Sequence, residues 1–337
     1  MANKINVGII GFGRIGQVHC KNLNFNIPEA NVLMISDVQI EAAKKYAKEF
    51  KIPEVTEDYK RILNNPDIDA VIICSSTDTH SFMIEEAAES GKHIFCEKPI
   101  DLSLEKIDKA LDAVEKYGVK LQIGFNRRFD PNFRKAREFI QSGKIGKLSI
   151  LKITSRDPAP PHIDYLKRCG GIFLDMTIHD FDMACFLSGS EVDEVYASGG
   201  VLVNSVCKDA GDLDTVVIIL KFKNGSIGVI ENSRSTVYGY DQRVEILGSE
   251  GMINVGNKLL DTVELTDSKS TMKALLPHFF IERYADSFIN EMKEFIQCII
   301  KDVSPSVSGM DGKAPMVIAM AAKLSHDNNR PVKITEI

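Results

Sequence analysis

Residues 5–37 decide the fold. They open with Ile5-Asn-Val-Gly-Ile-Ile10, pass through Gly11-Phe12-Gly13-Arg14-Ile15-Gly16, and end in Asn31-Val-Leu-Met-Ile-Ser-Asp37. Each part has a mechanical role in holding a dinucleotide. Gly11 permits a tight strand-to-helix turn, Gly13 leaves room for a pyrophosphate, and Gly16 lets the helix pack closely on the strand. The helix N-terminus offers unpaired N–H groups to phosphate oxygens. Asp37, at the tip of the next strand, is placed to accept hydrogen bonds from a ribose 2′-hydroxyl, as a carboxylate ~20 residues beyond the glycines does in such units. It favours NAD over NADP, because a 2′-phosphate would meet a like charge.

Outward from this unit, the first 125 residues keep a βαβα rhythm. Strands are expected at Ile5–Ile10, Val32–Ser36, Ala70–Ser75, His93–Cys96 and Lys120–Phe125, with helical stretches between them. Wholly apolar strands alternating with helices predict a doubly wound parallel sheet. The expected NAD-binding domain is therefore 1–125. From 126 to 337 the rhythm changes. Longer β runs, among them Lys147–Ser155, Val192–Val203, Thr215–Phe222 and Ser226–Ser235, follow one another through short turns. Asn224-Gly225 is a hairpin signal. A helix is expected over 172–188 and another near 279–301. This is read as an α+β domain with a large open, mixed or antiparallel sheet, serving substrate binding and oligomerisation.

At 337 residues the chain accommodates two domains with proper cores. A net charge of −6, with no lysine or arginine block, argues against a nucleic-acid surface. No apolar run approaches the ~18 residues of a membrane helix, and the N-terminus leads directly into a strand, leaving no room for a signal peptide. The seven dispersed cysteines form no C-x-x-C pair and read as reduced thiols of a cytoplasmic enzyme.

Three later features carry chemistry. Cys96-Glu97-Lys98-Pro99 ends an expected strand, where open α/β sheets bind ligands. The Lys98 ammonium there is suited to stabilise charge on a substrate oxygen; a solvated surface lysine is the plain alternative. Asp175 and His179 lie four apart on the expected helix and so share a face. Histidine suits removal of a hydroxyl proton near neutral pH, and a carboxylate orients its ring. A helix cap beside a satisfied histidine has the same pattern. Asp175, His179 and Asp182 lack a further ligand at diagnostic metal spacing, so no metal is expected. Tyr238-Gly-Tyr240-Asp241 follows a strand of the second domain, where tyrosines are commonly packing residues. Ser75, Ser76, Thr77 and His80 are placed to line the cofactor site, and Asn126-Arg127-Arg128 to face the same crevice.

With the glycine loop, Asp37, Glu97-Lys98-Pro99 and Asp175-x-x-x-His179 in this order, the chain resembles the Gfo/Idh/MocA oxidoreductase family along essentially its whole length. Gly124–Pro131, Ser155–Pro161, Ile178–Met183 and Tyr238–Arg243 are similar to its inositol-oxidising members. The resemblance implies NAD, with Glu97 and Lys98 joining the cofactor contacts, and commonly a tetramer. It implies Lys98, Asp175 and His179 as the catalytic set, with Asn126, Asp157 and Tyr240 contacting substrate. The implied reaction is oxidation of a secondary ring hydroxyl of myo-inositol. Another inositol isomer or an aldose is the alternative, and a non-enzymatic sugar and NAD sensor is a distant one.

Overall fold

The computed structural model describes residues 4–337. They form two compact units. One runs up to Phe129 and takes in Asp286–Ala314; the other comprises Asp130–Ala285 and Pro315–Ile337. Residues 286–314, expected with the second domain, thus belong to the first unit. The cause is an amphipathic helix, Ala285–Ile300, whose Met292, Phe295 and Ile296 are buried in one cluster with Val7, Ile9, Ile72 and Phe95. Burial of apolar side chains at ~25 cal/mol per Å² outweighs proximity in sequence.

The first unit holds a six-stranded parallel sheet: β1 (Ile5–Ile10), β2 (Ala30–Ser36), β3 (Glu54–Thr56), β4 (Ala70–Ile73), β5 (His93–Glu97) and β6 (Leu121–Gly124). Their spatial order is β3-β2-β1-β4-β5-β6, every pair parallel. Val71, Ile72, Ile94 and Phe95 are fully buried, as strands covered on both faces require. The order reverses between β1 and β4. Ligands of such sheets bind outside the carboxyl ends of the strands at that reversal, and there the loops after β1 and β4 begin. The three-residue β3 is too short to announce itself as a hydrophobic pattern.

The second unit is built on a seven-stranded sheet of β7 (Leu148–Arg156), β8 (Val192–Gly200), β9 (Thr215–Phe222), β10 (Ile227–Ser233), β11 (Asp241–Gly248), β12 (Met252–Val255) and β15 (Val332–Lys333). Between the last two in sequence, β13 (Glu264–Thr266) and β14 (Thr271–Lys273) pair as a separate hairpin. The large sheet runs β12-β11-β7-β10-β9-β8-β15; β7 and β10 are parallel and the remaining neighbours antiparallel. The architecture is thus the expected pairing of a doubly wound parallel sheet with an open mixed one. Asn224-Gly225 turns β9 into β10, with Gly225 at φ 86° and Asn224 Oδ1 accepting from the Ser226 amide.

Two local departures have clear causes. β8 stops at Gly200 rather than Val203, because the amides of Leu202, Val203 and Asn204 donate to the Asp214 carboxylate at 2.7–2.9 Å and leave the ladder. The helix expected over 172–188 is two pieces, Ile172–Asp175 and Ile178–Ser188. Across the junction the His179 amide reaches Met176 O, at 3.4 Å, instead of the carbonyl four residues back.

Candidate active site

The glycine loop begins where β1 ends. Gly11 has φ 88°, and a Cβ there would lie 2.5 Å from the Ser75 amide nitrogen. A Cβ on Gly16 would lie 2.2 Å from Gly11 O, so helix and strand touch through backbone alone. At Gly13 a Cβ would meet nothing within 4 Å. That open space, in front of the amides that start the helix Arg14–Asn26, suits a pyrophosphate. Phe12 sends its ring into the core, edge-on to Tyr46, while its amide donates to Asp37 Oδ2 at 2.5 Å. Asp37 also accepts from the Gln39 amide at 2.7 Å, so the carboxylate is fixed at the tip of β2. Val38 beside it is uncharged and 86% exposed. The residues present therefore fit NAD, whose phosphates Gly13, Arg14 and Ile15 would meet and whose adenosine ribose Asp37 would meet.

The loop after β4 supplies Ser75, Ser76 and Thr77, with Ser76 preceding the helix Thr77–Glu89. Ser75 Oγ lies 2.6 Å from Thr79 Oγ1. His80 is buried, its Nδ1 2.8 Å from Pro99 O and its Nε2 3.1 Å from Ser75 O. It ties together the loops after β4 and β5. Lys98 follows β5 directly, is half-buried, and precedes a cis peptide bond to Pro99. Glu97 Oε1 sits 2.7 Å from Nε2 of fully buried His19, whose ring stacks edge-on against Phe95 and Phe288. Glu291, wholly buried, is pushed well above the usual carboxylate range by burial, then by the charges of Glu97 and Glu294. Asn126 is buried in the turn Asn126–Phe129 that follows β6.

In the second unit, the register sets Arg156 opposite both Ser233 and Asp241, so β7 and β10 end where β11 begins. Asp157, Arg234 and Tyr240 therefore gather at one end of the sheet. Asp157 is fixed through its backbone: its amide donates to Ser233 O at 2.8 Å and its carbonyl accepts from Thr236 Oγ1 at 3.1 Å. The Tyr240 ring is buried, edge-on to Tyr284. Tyr238, the more exposed tyrosine, accepts from Arg156 Nη1 at 2.7 Å and donates to Asp241 Oδ2 at 2.9 Å.

Asp175, at the end of the short helix, accepts at both oxygens. Arg234 Nη1 donates to Oδ2 at 3.0 Å and the Tyr165 hydroxyl donates to Oδ1 at 2.8 Å. Burial alone would lower the Arg234 pKa; Asp175 and Asp212 outweigh it and hold the pKa above the ordinary arginine value. Burial, then the charge of Asp175, raises the Tyr165 phenol, which stays a donor. His179 is half-buried in the first turn of Ile178–Ser188. Asp182 is fully buried, and so is Asp180, whose oxygens take Ser155 Oγ at 2.5 Å and Asn232 Nδ2 at 2.7 Å. Among the described residues no group of three or more His, Cys, Asp or Glu side chains is arranged for a metal ion. Arg234, Tyr165 and Asp212 are the polar partners that sequence reading misses. The available signal is an arginine inside the expected strand Ser226–Ser235, a place where charge is costly unless paired.

These features define an NAD-dependent oxidoreductase. The model described as the NAD-binding Rossmann fold of the Gfo/Idh/MocA oxidoreductase family matches residues 5–125, and that of its C-terminal domain matches residues 133–254. The chain belongs to this family and is an NAD-dependent oxidoreductase. Myo-inositol 2-dehydrogenase of Thermotoga maritima is 46% identical, over 98% of this chain and 99% of that one. The NAD⁺-dependent scyllo-inositol 2-dehydrogenase of Bacillus subtilis is 36% identical, over 99% and 97%. A crystal structure of a myo-inositol dehydrogenase from Corynebacterium glutamicum has a TM-score of 0.93 at 36% identity, covering 98% of both chains.

Proposed function

We propose that the protein oxidises a secondary ring hydroxyl of myo-inositol to the corresponding inosose. The observation that carries this reading is the anchored Asp175, a carboxylate held at both oxygens four residues before a half-buried histidine. In the proposed mechanism His179, oriented by Asp175, takes the hydroxyl proton. Lys98 donates a hydrogen bond to the same oxygen and supports it as the C–O bond shortens to a carbonyl. Bound NAD supplies the hydride acceptor, chemistry that belongs to the cofactor. Asn126, Asp157 and Tyr240 are assigned to the other hydroxyls of the ring.

The choice of myo-inositol is supported by the likeness to the Thermotoga myo-inositol 2-dehydrogenase at 46% identity, against 36% for the Bacillus subtilis scyllo-inositol 2-dehydrogenase. A panel of myo-, scyllo- and chiro-inositol and aldoses with NAD, followed by NADH absorbance, tests it. Highest kcat/KM for myo-inositol is expected; a better scyllo-inositol or aldose substrate would replace it, and no turnover at all would favour a sensor.

We further read the chain as a cytoplasmic homo-oligomer, a tetramer. On one face of the large sheet Ile150, Val217, Ile219, Ile227 and Leu247 each stand more than 40% exposed, an apolar area that a second copy would cover. Among the described residues no helix is long and apolar enough to cross a membrane. Light scattering at micromolar concentration checks the assembly, and a monomer there would refute it.

A further inference from the structure

We infer that Arg234 is a positioning residue for the reaction, acting through Asp175; this rests on the reading of Asp175 and His179 given above. Arg234 is the largest fully buried side chain of the second unit. It extends from the position just after β10, and its own amide is fixed on Asp214 O at 2.7 Å. Its guanidinium bridges two carboxylates. Nη1 donates to Asp175 Oδ2 at 3.0 Å, and Nη2 lies 3.3 Å from Asp212 Oδ2 in an ion pair without hydrogen-bond alignment. Asp212 is itself anchored, with Oδ1 accepting from the Ile172 and Leu213 amides at 2.9 and 2.8 Å. The Ile172 amide begins the short helix that ends in Asp175. Arg234 and Asp212 thus grip that helix at both ends, one through a carboxylate and the other through a backbone donor.

The arrangement exceeds what stability asks of it. A buried ion triad is commonly no more stabilising than apolar residues of the same volume. What it does provide is a carboxylate that stays ionised and in one orientation. Asp175 cannot rotate without leaving both Arg234 and Tyr165, and it cannot take a proton cheaply beside a guanidinium. An orienting partner for a catalytic base needs those two properties. The other titratable groups facing the guanidinium do not compete for that role. Burial pushes the Cys169 thiol up to about 11, and also raises Cys207, so both stay neutral. Asp214 is held below the usual range despite burial by the amides of Asn204, Leu202 and Val203 and by the Thr215 hydroxyl, so its charge is constant near neutral pH.

The test uses the full-length protein with NAD and myo-inositol, comparing Arg234→Met, Arg234→Lys and Tyr165→Phe. Arg234→Met should lower kcat by at least about tenfold, within the range for an impaired general base, while KM for NAD stays within about twofold. The acidic limb of its kcat/KM profile should move to higher pH by roughly one unit, because Asp175 loses its cationic partner while its own negative charge stays to favour protonated His179. Arg234→Lys restores the charge and should return the limb to its original place, with kcat only partly recovered because lysine lacks the planar fork. If the methionine variant does not fold, Tyr165→Phe decides: kcat should fall several-fold at unchanged KM for NAD. Variants that melt earlier yet keep kcat and the acidic limb would make Arg234 merely structural and overturn the inference. Failure of the underlying reading is seen separately. Full turnover in His179→Ala, measured before any Arg234 variant, would remove the base, and the inference with it.

Discussion

Gly13 and Gly16 are three residues apart in one loop, yet alanine at the two positions should fail in different ways. At Gly16 the new methyl would stand 2.2 Å from Gly11 O, against 3.4 Å for an ordinary contact. The obstacle is backbone, so strand and helix must separate by ~1 Å, an overpacking that costs about 1–3 kcal/mol of stability. The same shift carries the helix-starting amides away from the phosphates. An amide at 2.9 Å from an oxygen is no longer a hydrogen bond about 1 Å further out. Each charge-assisted bond contributes roughly 1.5–3 kcal/mol, so losing one should weaken NAD binding by about tenfold to a hundredfold.

At Gly13 the backbone is extended, φ −67° and ψ −165°, which alanine adopts without strain, and nothing lies within 4 Å of the new methyl. The apo protein should lose less than about 1 kcal/mol, the scale of an altered N-cap. Its NAD affinity should nevertheless fall by a comparable factor, because the methyl occupies the space through which the pyrophosphate approaches. Thermal melts of the two apo variants, with calorimetric titration of NAD into each, separate the effects. Gly13→Ala with unchanged NAD affinity would show that the pyrophosphate does not cross that residue. Gly16→Ala with an unchanged melting temperature would show that helix and strand are less tightly joined than the backbone contact requires.

His179→Ala should lower turnover by about 10²–10⁴-fold with NAD still bound, and near-normal turnover would exclude the base. Lys98→Ala should lose about 3–4 kcal/mol of transition-state stabilisation, read as a fall in kcat; a change confined to NAD affinity would make Lys98 a cofactor anchor instead. Asp37→Ser combined with Val38→Arg should move preference from NAD to NADP, checked by comparing kcat/KM with each; an unmodified protein indifferent to the two cofactors would refute the role of Asp37. Glu291→Gln should stabilise the protein increasingly from pH 5 to pH 8. A carboxyl raised in the folded state is most favourable below its unfolded value of ~4.3 and costs about 1.4 kcal/mol for each unit of pH above it, until the folded pKa is reached. A melting-temperature difference that does not change with pH would mean that Glu291 is ionised in the fold.

The parts of the molecule that were legible in advance are those where one local rule acts alone. Thr215–Phe222 and Met252–Val255 run as their β-rich composition dictates, and Asn224-Gly225 makes its turn because few other pairs tolerate that backbone. Asp37 stands at the tip of β2, where its distance from the glycines puts it. Where two rules compete, the reading goes astray. Val203 has the composition of a strand, but a carboxylate eleven residues on claims its amide. The helix Ala285–Ile300 has an apolar face that fits either unit, and only three-dimensional packing assigns it to the parallel sheet.

The support around Asp175 was illegible for a related reason. Tyr165, Asp212 and Arg234 come from three separate segments, and no spacing links them to Asp175 or to each other. Each also has an ordinary reading on its own: a tyrosine in a loop, an acid at a turn, a charge closing a strand. Their meaning is created by burial, which makes an unpaired guanidinium in that place too costly to tolerate. Once Arg234 is inside, both carboxylates are required, and the Tyr165 phenol completes the second oxygen of Asp175. Candidate catalytic side chains can therefore be proposed from type and order along the chain. What holds them in working geometry has to be read from which buried charges are matched, and by whom.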